Sequence, residues 1–301
     1  MKKVLVASLI AALMLILVTP AAIAKPDKDK PLPATNVELV KKVSLKGKPV
    51  GGGKPAKQAA TGLLGEQLGT GANKYAIVIG ISDYPGSDSD LEYADDDAQD
   101  MYNALTNVYG YESGNVYLLQ NMEASFTAIR DAFADIRGRE VAGDEVVFFF
   151  SGHGARGQAD DGDREKIDEA IVTHDGSPTG NFIYIWDGQL KEWFSGFDTK
   201  RIIFIFDSCL SGGMTDLETL GRVINMATTE GGIAYEGLWG NNGQFTYYFV
   251  EHGMIASKAD TYDNLPSVAD VTIEEAFDYA KANCQMQKPT ISDSFDNDLL
   301  L

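Results

Sequence analysis

The sequence predicts an α/β protein with a mostly parallel central sheet, and two observations lead to this prediction. Continuous apolar runs recur along the chain at residues 74–81, 115–121, 144–151 and 200–209. Unbroken runs of this length are typical of parallel strands that are covered on both faces. Amphipathic segments with helical spacing separate the runs, and this alternation favours right-handed crossovers with helices on both faces of the sheet.

The elements follow one another in a regular order. Residues 91–110 carry apolar side chains at helical spacing and end on a glycine, as expected for a helix after the first strand. A second helix is predicted at residues 125–139, between the second and third strands. The remaining predictions are a strand or hairpin arm at 169–176, a short helix at 186–197, a strand at 221–228 and helices at 243–254 and 272–283.

The charge distribution limits the partners of the chain. The 301 residues carry 44 acidic and 25 basic side chains, and a hydrophobic content of 44% is sufficient for a packed core. Residues 25–70 hold nine lysines against four acids, so the acidic excess lies in the body after Gly71. An acidic body argues against nucleic acid and anionic membranes, and it suits basic peptides or divalent cations.

The N-terminal residues 1–24 predict export. Two lysines precede an apolar run at residues 4–18, and small residues end at Ala24, which is the pattern of a secretory signal peptide. We therefore expect a secreted or cell-envelope protein, with an uncleaved membrane anchor as the alternative. Residues 25–71 are rich in Pro, Gly and Lys, so we interpret them as a linker or pro-segment without a packed core. Residues 72–301 form the predicted folded domain.

Two residues at strand ends indicate nucleophilic chemistry. His153 stands between two glycines after the third apolar run, and Cys209 ends the fourth. Active sites of open α/β sheets lie beyond the carboxyl ends of the strands. A thiol is mostly protonated at neutral pH, so a cysteine nucleophile needs a neighbouring base. We therefore predict a His153/Cys209 dyad, with the amides of Gly154 and Cys209 as an oxyanion hole.

These motifs resemble those of a known family. Three segments of the chain resemble motifs of the caspase-like cysteine peptidases (clan CD), in the same order as in that family. FFFSGHGARG resembles the His motif, DGDREKIDEAIVTHDG the acidic loop and FIFDSCLSGG the Cys motif. Over residues 75–289 the chain most resembles the metacaspases. The resemblance implies a caspase–haemoglobinase fold, a monomer, and peptide-bond hydrolysis by His153 and Cys209 through a thioester acyl-enzyme.

The resemblance also implies a substrate preference. Metacaspases cleave after Arg or Lys because acidic side chains line their first specificity pocket, and the matching residues here are Asp97, Ser151 and Asp207. Two carboxylates that face a guanidinium or ammonium group make charge-assisted hydrogen bonds. We therefore expect protein or peptide substrates with Arg or Lys before the cut.

Calcium is the cofactor that the resemblance implies. The aspartates of the metacaspase calcium site match Asp168, Asp187 and Asp216, and calcium prefers oxygen ligands of this kind. The chemistry of the dyad itself requires no cofactor.

Activation is expected to involve the segment before the folded domain. The chain has no Lys or Arg between Cys209 and Arg222, so an Arg/Lys-specific enzyme cannot cut itself there, and a single-chain active form is expected. The lysines of residues 25–70 are instead expected to occupy the acidic pocket, or to be trimmed from it by autoprocessing.

Other interpretations stay open at this point. A structural disulfide between Cys209 and Cys284 is compatible with export. The alternative functions are a catalytically silent binding module with the same fold and an envelope transpeptidase that uses the same dyad.

Overall fold

The computed structural model describes residues 27–46, 59–61, 65–162, 165–261 and 270–301, and it confirms the predicted α/β class. The predicted signal peptide, residues 1–24, lies outside the described residues. Within the part of the chain that is described, no helix combines the length and the apolar character needed to cross a membrane.

The strands are numbered in chain order. They are β1 (Ala34–Val40), β2 (Val43–Ser44), β3 (Lys74–Gly80), β4 (Val116–Gln120), β5 (Glu145–Ser151), β6 (Gly154–Ala159), β7 (Asp168–Gly176), β8 (Phe182–Trp186), β9 (Arg201–Asp207), β10 (Arg222–Met226), β11 (Tyr235–Trp239), β12 (Asn242–Gly243) and β13 (Thr290–Asp293).

The helices lie between these strands. They are α1 (Ala94–Asn107), α2 (Phe126–Arg139), α3 (Asp187–Ser195), α4 (Gln244–Thr246), which continues as a π-helix (Tyr247–Ile255), and α5 (Ile273–Asn283). Side chains close two of the helix N-termini. Ser125 accepts a hydrogen bond from the Ala128 amide, and Thr272 and Glu275 form a reciprocal capping box at α5.

A six-stranded sheet forms the centre of the molecule, in the order β13-β10-β9-β5-β3-β4. Its strands are parallel except for β13, which pairs antiparallel with β10. A second, four-stranded antiparallel sheet has the order β1-β6-β7-β8, and β12, β11 and β2 form a third, small sheet. The central sheet therefore has the predicted parallel arrangement. In the second sheet, β7 matches the strand or hairpin arm predicted at 169–176, whereas β1, β6 and β8 were not predicted.

Apolar side chains cover both faces of the central sheet. In β9, Phe204 and Phe206 belong to the core on the side of α2 and α3, while Ile203 and Ile205 belong to the core on the side of α1 and α5. Successive side chains of a strand point to opposite faces, so an unbroken apolar run is what a doubly covered strand requires.

The structure differs from the expectation for the first part of the basic segment. Residues 27–46 were expected to lack packing, but β1 pairs antiparallel with β6 and β2 pairs parallel with β11. Trp193 and Gln189 of α3 also donate hydrogen bonds to the Lys28 carbonyl oxygen. The residues here obtain their backbone hydrogen bonds from the folded domain, so they need no core of their own. We call residues 27–46 the N-terminal strap.

Candidate active site

The register of the central sheet brings the predicted site residues together. β5 and β9 are neighbours, and Ser151 lies directly opposite Asp207 at their carboxyl ends. His153 and Cys209 each stand two residues beyond this pair, and both are buried. The dyad and part of the predicted pocket are therefore placed by one pair of strands.

His153 is held as a neutral base. Its Nε2 lies 2.8 Å from the carbonyl oxygen of Ser89, which only accepts, so Nε2 carries the proton and Nδ1 keeps the free lone pair. The Tyr84 ring stacks on the imidazole at 4.8 Å, and the Tyr84 hydroxyl accepts the His153 amide proton at 3.0 Å. Burial lowers the pKa of His153 to about 4, so the ring is uncharged at neutral pH.

Cys209 is held as a protonated thiol. Its Sγ accepts a hydrogen bond from the Ala234 amide at 3.2 Å. Burial raises the pKa of the thiol to about 11, although the Ala234 amide favours the thiolate. The Cys209 thiol is therefore protonated at neutral pH.

Glycines allow the backbone to pass closely around the thiol. Leu210 follows the cysteine with a left-handed φ of 60°, which turns the chain sharply away from β9. A Cβ on Gly212 would overlap the backbone of Glu230, and one on Gly154 would overlap the carbonyl oxygen of Cys209. A residue larger than glycine would therefore clash with the backbone at Gly212 of the Ser-Gly-Gly motif and at Gly154 of the Gly-His-Gly motif. The oxyanion hole at Gly154 and Cys209 stays a prediction.

The three predicted pocket residues converge. Ser151 Oγ donates to Asp97 Oδ2 at 2.6 Å, and Asp207 Oδ2 accepts from the amide and hydroxyl of Thr246 at 2.9 and 2.8 Å. Asp97 reaches this edge because α1 begins directly against β3, where a Cβ on Gly80 would overlap the α1 backbone. All three residues are fully buried. We call this group the acidic pocket.

The side chain of Lys42, from the strap, fills the acidic pocket. Its Nζ lies 3.0 Å from Asp207 Oδ1, 3.3 Å from Asp97 Oδ2 and 3.0 Å from Ser151 Oγ. Burial alone disfavours the ammonium, but the surrounding carboxylates outweigh it and raise the pKa of Lys42. Burial and the Asp207 charge in turn raise the pKa of Asp97. The cation between these two closely buried carboxylates therefore stabilises their charged forms.

The strap also covers the dyad itself. The Lys42 amide donates to Nδ1 of His153 at 3.2 Å, so the lone pair that would take the thiol proton is occupied. The next amide, that of Val43, donates to the Ala234 carbonyl oxygen at 3.0 Å. Sequence reasoning singled out none of the nine lysines of the segment, because only the folded strap shows which one enters the pocket.

Gly243 is a further pocket residue that the sequence did not indicate. Its amide donates to Asp97 Oδ1 at 2.8 Å. A Cβ at this position would lie 2.6 Å from Lys42 Nζ and 2.8 Å from Asp97 Oδ2. The absent side chain therefore leaves the space that the ammonium group occupies.

A second acidic cluster lies behind the site. Ligand oxygens of Asp161, Asp168 and Asp187 all lie within 4.8 Å of one another, and the three residues are buried. The third predicted ligand, Asp216, is not one of these three residues, although its charge acts on Asp187, and its carboxylate pairs with Lys191 at 3.2 Å. Asp161, which the prediction left out, takes its place, and its carboxylate accepts a hydrogen bond from the Gly188 amide at the start of α3. Burial, together with Asp161 and neighbouring acids, raises the pKa of Asp187 well above its usual range.

The disulfide alternative is wrong, because both cysteines are free thiols. Cys284 is buried at the end of α5, where its Sγ donates to the Gln244 carbonyl oxygen. His252 packs against the Tyr247 ring at 4.1 Å in the π-helix.

A parallel sheet with a buried histidine and cysteine at two neighbouring strand ends defines the class of caspase-like proteins. Residues 73–299 match the caspase domain family (Peptidase_C14), and the chain belongs to this family. The strap lies before the matched region.

Similar proteins agree with this assignment. The chain is 33% identical to Metacaspase-4 of Arabidopsis thaliana over 151 residues, and 30% identical to Metacaspase-1 of Saccharomyces cerevisiae over 184 residues. These matches cover 48% and 58% of this chain but only 34% and 40% of the relatives. The crystal structure of protein GSU0716 from Geobacter sulfurreducens shares the fold with a TM-score of 0.55 and 16% identity, over 75% of this chain and 95% of that one.

The thiol environment leads to a prediction for alkylation. With Cys284→Ser as background, native Cys209 should react with iodoacetamide very slowly at pH 7 and about tenfold faster per pH unit towards pH 9, because the thiolate fraction rises below a pKa of about 11. The rate is measured by intact-mass spectrometry, with urea-unfolded protein as the control. A fast rate that does not change between pH 6 and 9 would show a thiolate already formed.

Proposed function

We propose that the chain is a cysteine endopeptidase that hydrolyses peptide bonds after Arg or Lys. The observation that carries this proposal is the position of the Lys42 ammonium between Asp97 and Asp207, directly beside the covered dyad. A buried pocket with two carboxylates and a hydroxyl is suited to one basic side chain. The membership in the caspase family supports the peptidase chemistry.

In the proposed mechanism, Nδ1 of His153 takes the proton of the Cys209 thiol once the strap has left. The thiolate attacks the carbonyl carbon before the cut, and the amides of Gly154 and Cys209 stabilise the oxyanion. The imidazolium then protonates the leaving amine, and water hydrolyses the thioester. The Ser89 carbonyl oxygen, at 2.8 Å from Nε2, holds the ring in the required tautomer and stabilises its charged form.

The peptidase proposal predicts turnover of fluorogenic peptides that end in Arg or Lys, and none of matched peptides that end in Asp. The strap is displaced for this assay by the Lys42→Met variant, and Cys209→Ala is the inactive control. Turnover of Asp peptides alone would contradict the pocket assignment. An added amine acceptor, with products identified by mass spectrometry, separates hydrolysis from the alternative of transpeptidation.

Pocket variants test the specificity in the same assay. Asp207→Asn should lower kcat/KM for basic peptides by about 30-fold or more, since a buried charge then loses its partner. Gly243→Ala should also lower kcat/KM for basic peptides, because the new Cβ takes the space of the cation. Gly138→Ala, where a Cβ meets no neighbour, is the matched control. Unchanged kinetics in both pocket variants would exclude this pocket as the specificity site.

We also propose that calcium binds at Asp161, Asp168 and Asp187. The donor set fits, because three buried carboxylates with closely spaced oxygens match the oxygen ligands of this ion. Burial, and then repulsion from Asp161 and other acids, raise the pKa of Asp187, and a bound cation would offset both effects. These residues would hold the ion, whereas the dyad chemistry runs without it.

Calcium should therefore stabilise the fold. At a hundredfold excess over its Kd the expected gain is about 2.7 kcal/mol in the free energy of unfolding, measured as a shift of the melting temperature. Asp187→Asn should remove the shift, while Asp216→Asn, outside the cluster, should keep it. An equal shift in all three proteins would place the ion elsewhere.

We propose further that the protein is exported and that residues 1–24 are removed on the way. The apolar run and the small residues that end at Ala24 support this. N-terminal sequencing of the Cys209→Ala protein from culture medium and envelope fractions should begin at Lys25. Retention of Met1 in the membrane fraction would favour the anchor.

A further inference from the structure

We propose that the N-terminal strap inhibits the active site as a strand bound in the opposite direction to a substrate, so that the site holds it without cutting it. The proposal rests on the proposed peptidase function, and it specifies how that site is kept latent. It differs from the expectation that the pocket-filling residue is a site of autoprocessing.

The hydrogen bond at the histidine reveals the direction. In a substrate, the residue in the pocket presents its carbonyl carbon to the thiol, and the following residue supplies the amide nitrogen that the imidazole protonates. In the strap, the amide at Nδ1 of His153 belongs to Lys42, the pocket residue itself, at 3.2 Å. The amide of the following residue, Val43, points instead to the Ala234 carbonyl oxygen at 3.0 Å. The leaving nitrogen is therefore on the wrong side of the pocket residue.

The strands on both sides of Lys42 maintain this direction. Before it, β1 pairs antiparallel with β6, which starts just after His153, and Val40 lies opposite Gly154. After it, β2 pairs parallel with β11, with Val43 opposite Tyr235. Turning the strap around while keeping Lys42 in the pocket would exchange the places of residues 41 and 43. Both ladders would have to break for this to happen.

The two adjacent lysines of the strap have different roles. Lys42 is buried, and its ammonium has three polar partners in the acidic pocket. The Lys41 side chain is exposed and donates outside the pocket to the Asp88 carbonyl oxygen. The strap therefore copies the side chain of a preferred substrate but reverses its backbone, and the chain contains its own matched control residue.

A peptide held in this way resists hydrolysis for two reasons. The Nδ1 lone pair of His153 is occupied by an amide proton that no reaction removes. The thiol stays protonated, because burial raises its pKa to about 11. Release thus requires that the strap is displaced, or that the chain is cut outside the covered site.

The first experiment compares Lys42→Met with Lys41→Met in the full chain. Loss of the buried ammonium should raise the turnover of Arg and Lys peptides at least about tenfold over wild type, and should speed iodoacetamide labelling of Cys209 in parallel. Lys41→Met should match wild type in both measurements. Equal behaviour of the two variants would overturn the inhibitory role of Lys42.

The second experiment asks whether the strap is cut. Wild type and Lys42→Arg, which keeps the pocket cation, should stay intact at the bonds on both sides of residue 42 when they are incubated and mapped by mass spectrometry. Cys209→Ala is the baseline. Cleavage at either bond that depends on Cys209 would overturn the reversed binding and restore autoprocessing at this position.

The third experiment tests direction without activity. In a Cys209→Ser, Cys284→Ser background, the pair Val43→Cys and Tyr235→Cys should close a disulfide on mild oxidation, because these residues are paired across β2 and β11. The pair Lys41→Cys and Tyr235→Cys should stay reduced. Preferential closure of the second pair would overturn the proposal. If the first pair closes but no variant cuts any peptide, the peptidase function and the inhibitory role fail, while the reversed direction of the strap stands.

Discussion

The parallel register of β5 and β9 is the constraint on which the rest of the site depends. It sets Ser151 opposite Asp207. Two residues beyond the end of each of these strands, His153 and Cys209 lie at the same edge of the sheet. A slip by one residue would turn every side chain of a strand to the other face. The apolar layers on both faces oppose such a slip, because the side chains of β5 and β9 would then leave the core to which they belong. The phenylalanines that share one of these cores are Phe148, Phe150, Phe204 and Phe206.

In the proposed function, the acidic pocket would connect substrate specificity with latency. Asp97 and Asp207 are buried so closely that a cation between them is part of the stable arrangement, and in the structure Lys42 supplies it. Removing one member of a buried charged group is costly, because the others remain desolvated. The electrostatic feature that would select an Arg or Lys substrate is therefore the same feature that retains the strap. A substrate has to compete with a tethered lysine for one position.

A feature of the fold or of the candidate site could be predicted from the sequence where it depends on residues that are close together in the chain. The five parallel strands of the central sheet and the helices between them were visible as apolar runs and helical spacing, and the predicted dyad stood at the ends of two such runs, whereas the antiparallel β13 was not predicted. The antiparallel β6 has few apolar residues, and β8 was missed although all five of its residues are apolar or aromatic. Asp161 joins Asp168 and Asp187 only in the folded chain, and the spacing of these residues in the sequence does not reveal the cluster. Asp216 is drawn to Lys191 instead.

The sequence by itself predicted the fold class and the family, which are both confirmed. It also indicated the candidate dyad and the acidic residues of the candidate pocket, because these features depend on residue types at strand ends or on short motifs. The tertiary structure alone decided which lysine fills the pocket, that Gly243 makes room for it, and in which direction the strap runs. These depend on pairings between residues far apart in the chain, such as Val40 with Gly154 and Val43 with Tyr235. Strand direction is a property of a pair of strands, and neither strand carries it in its own sequence.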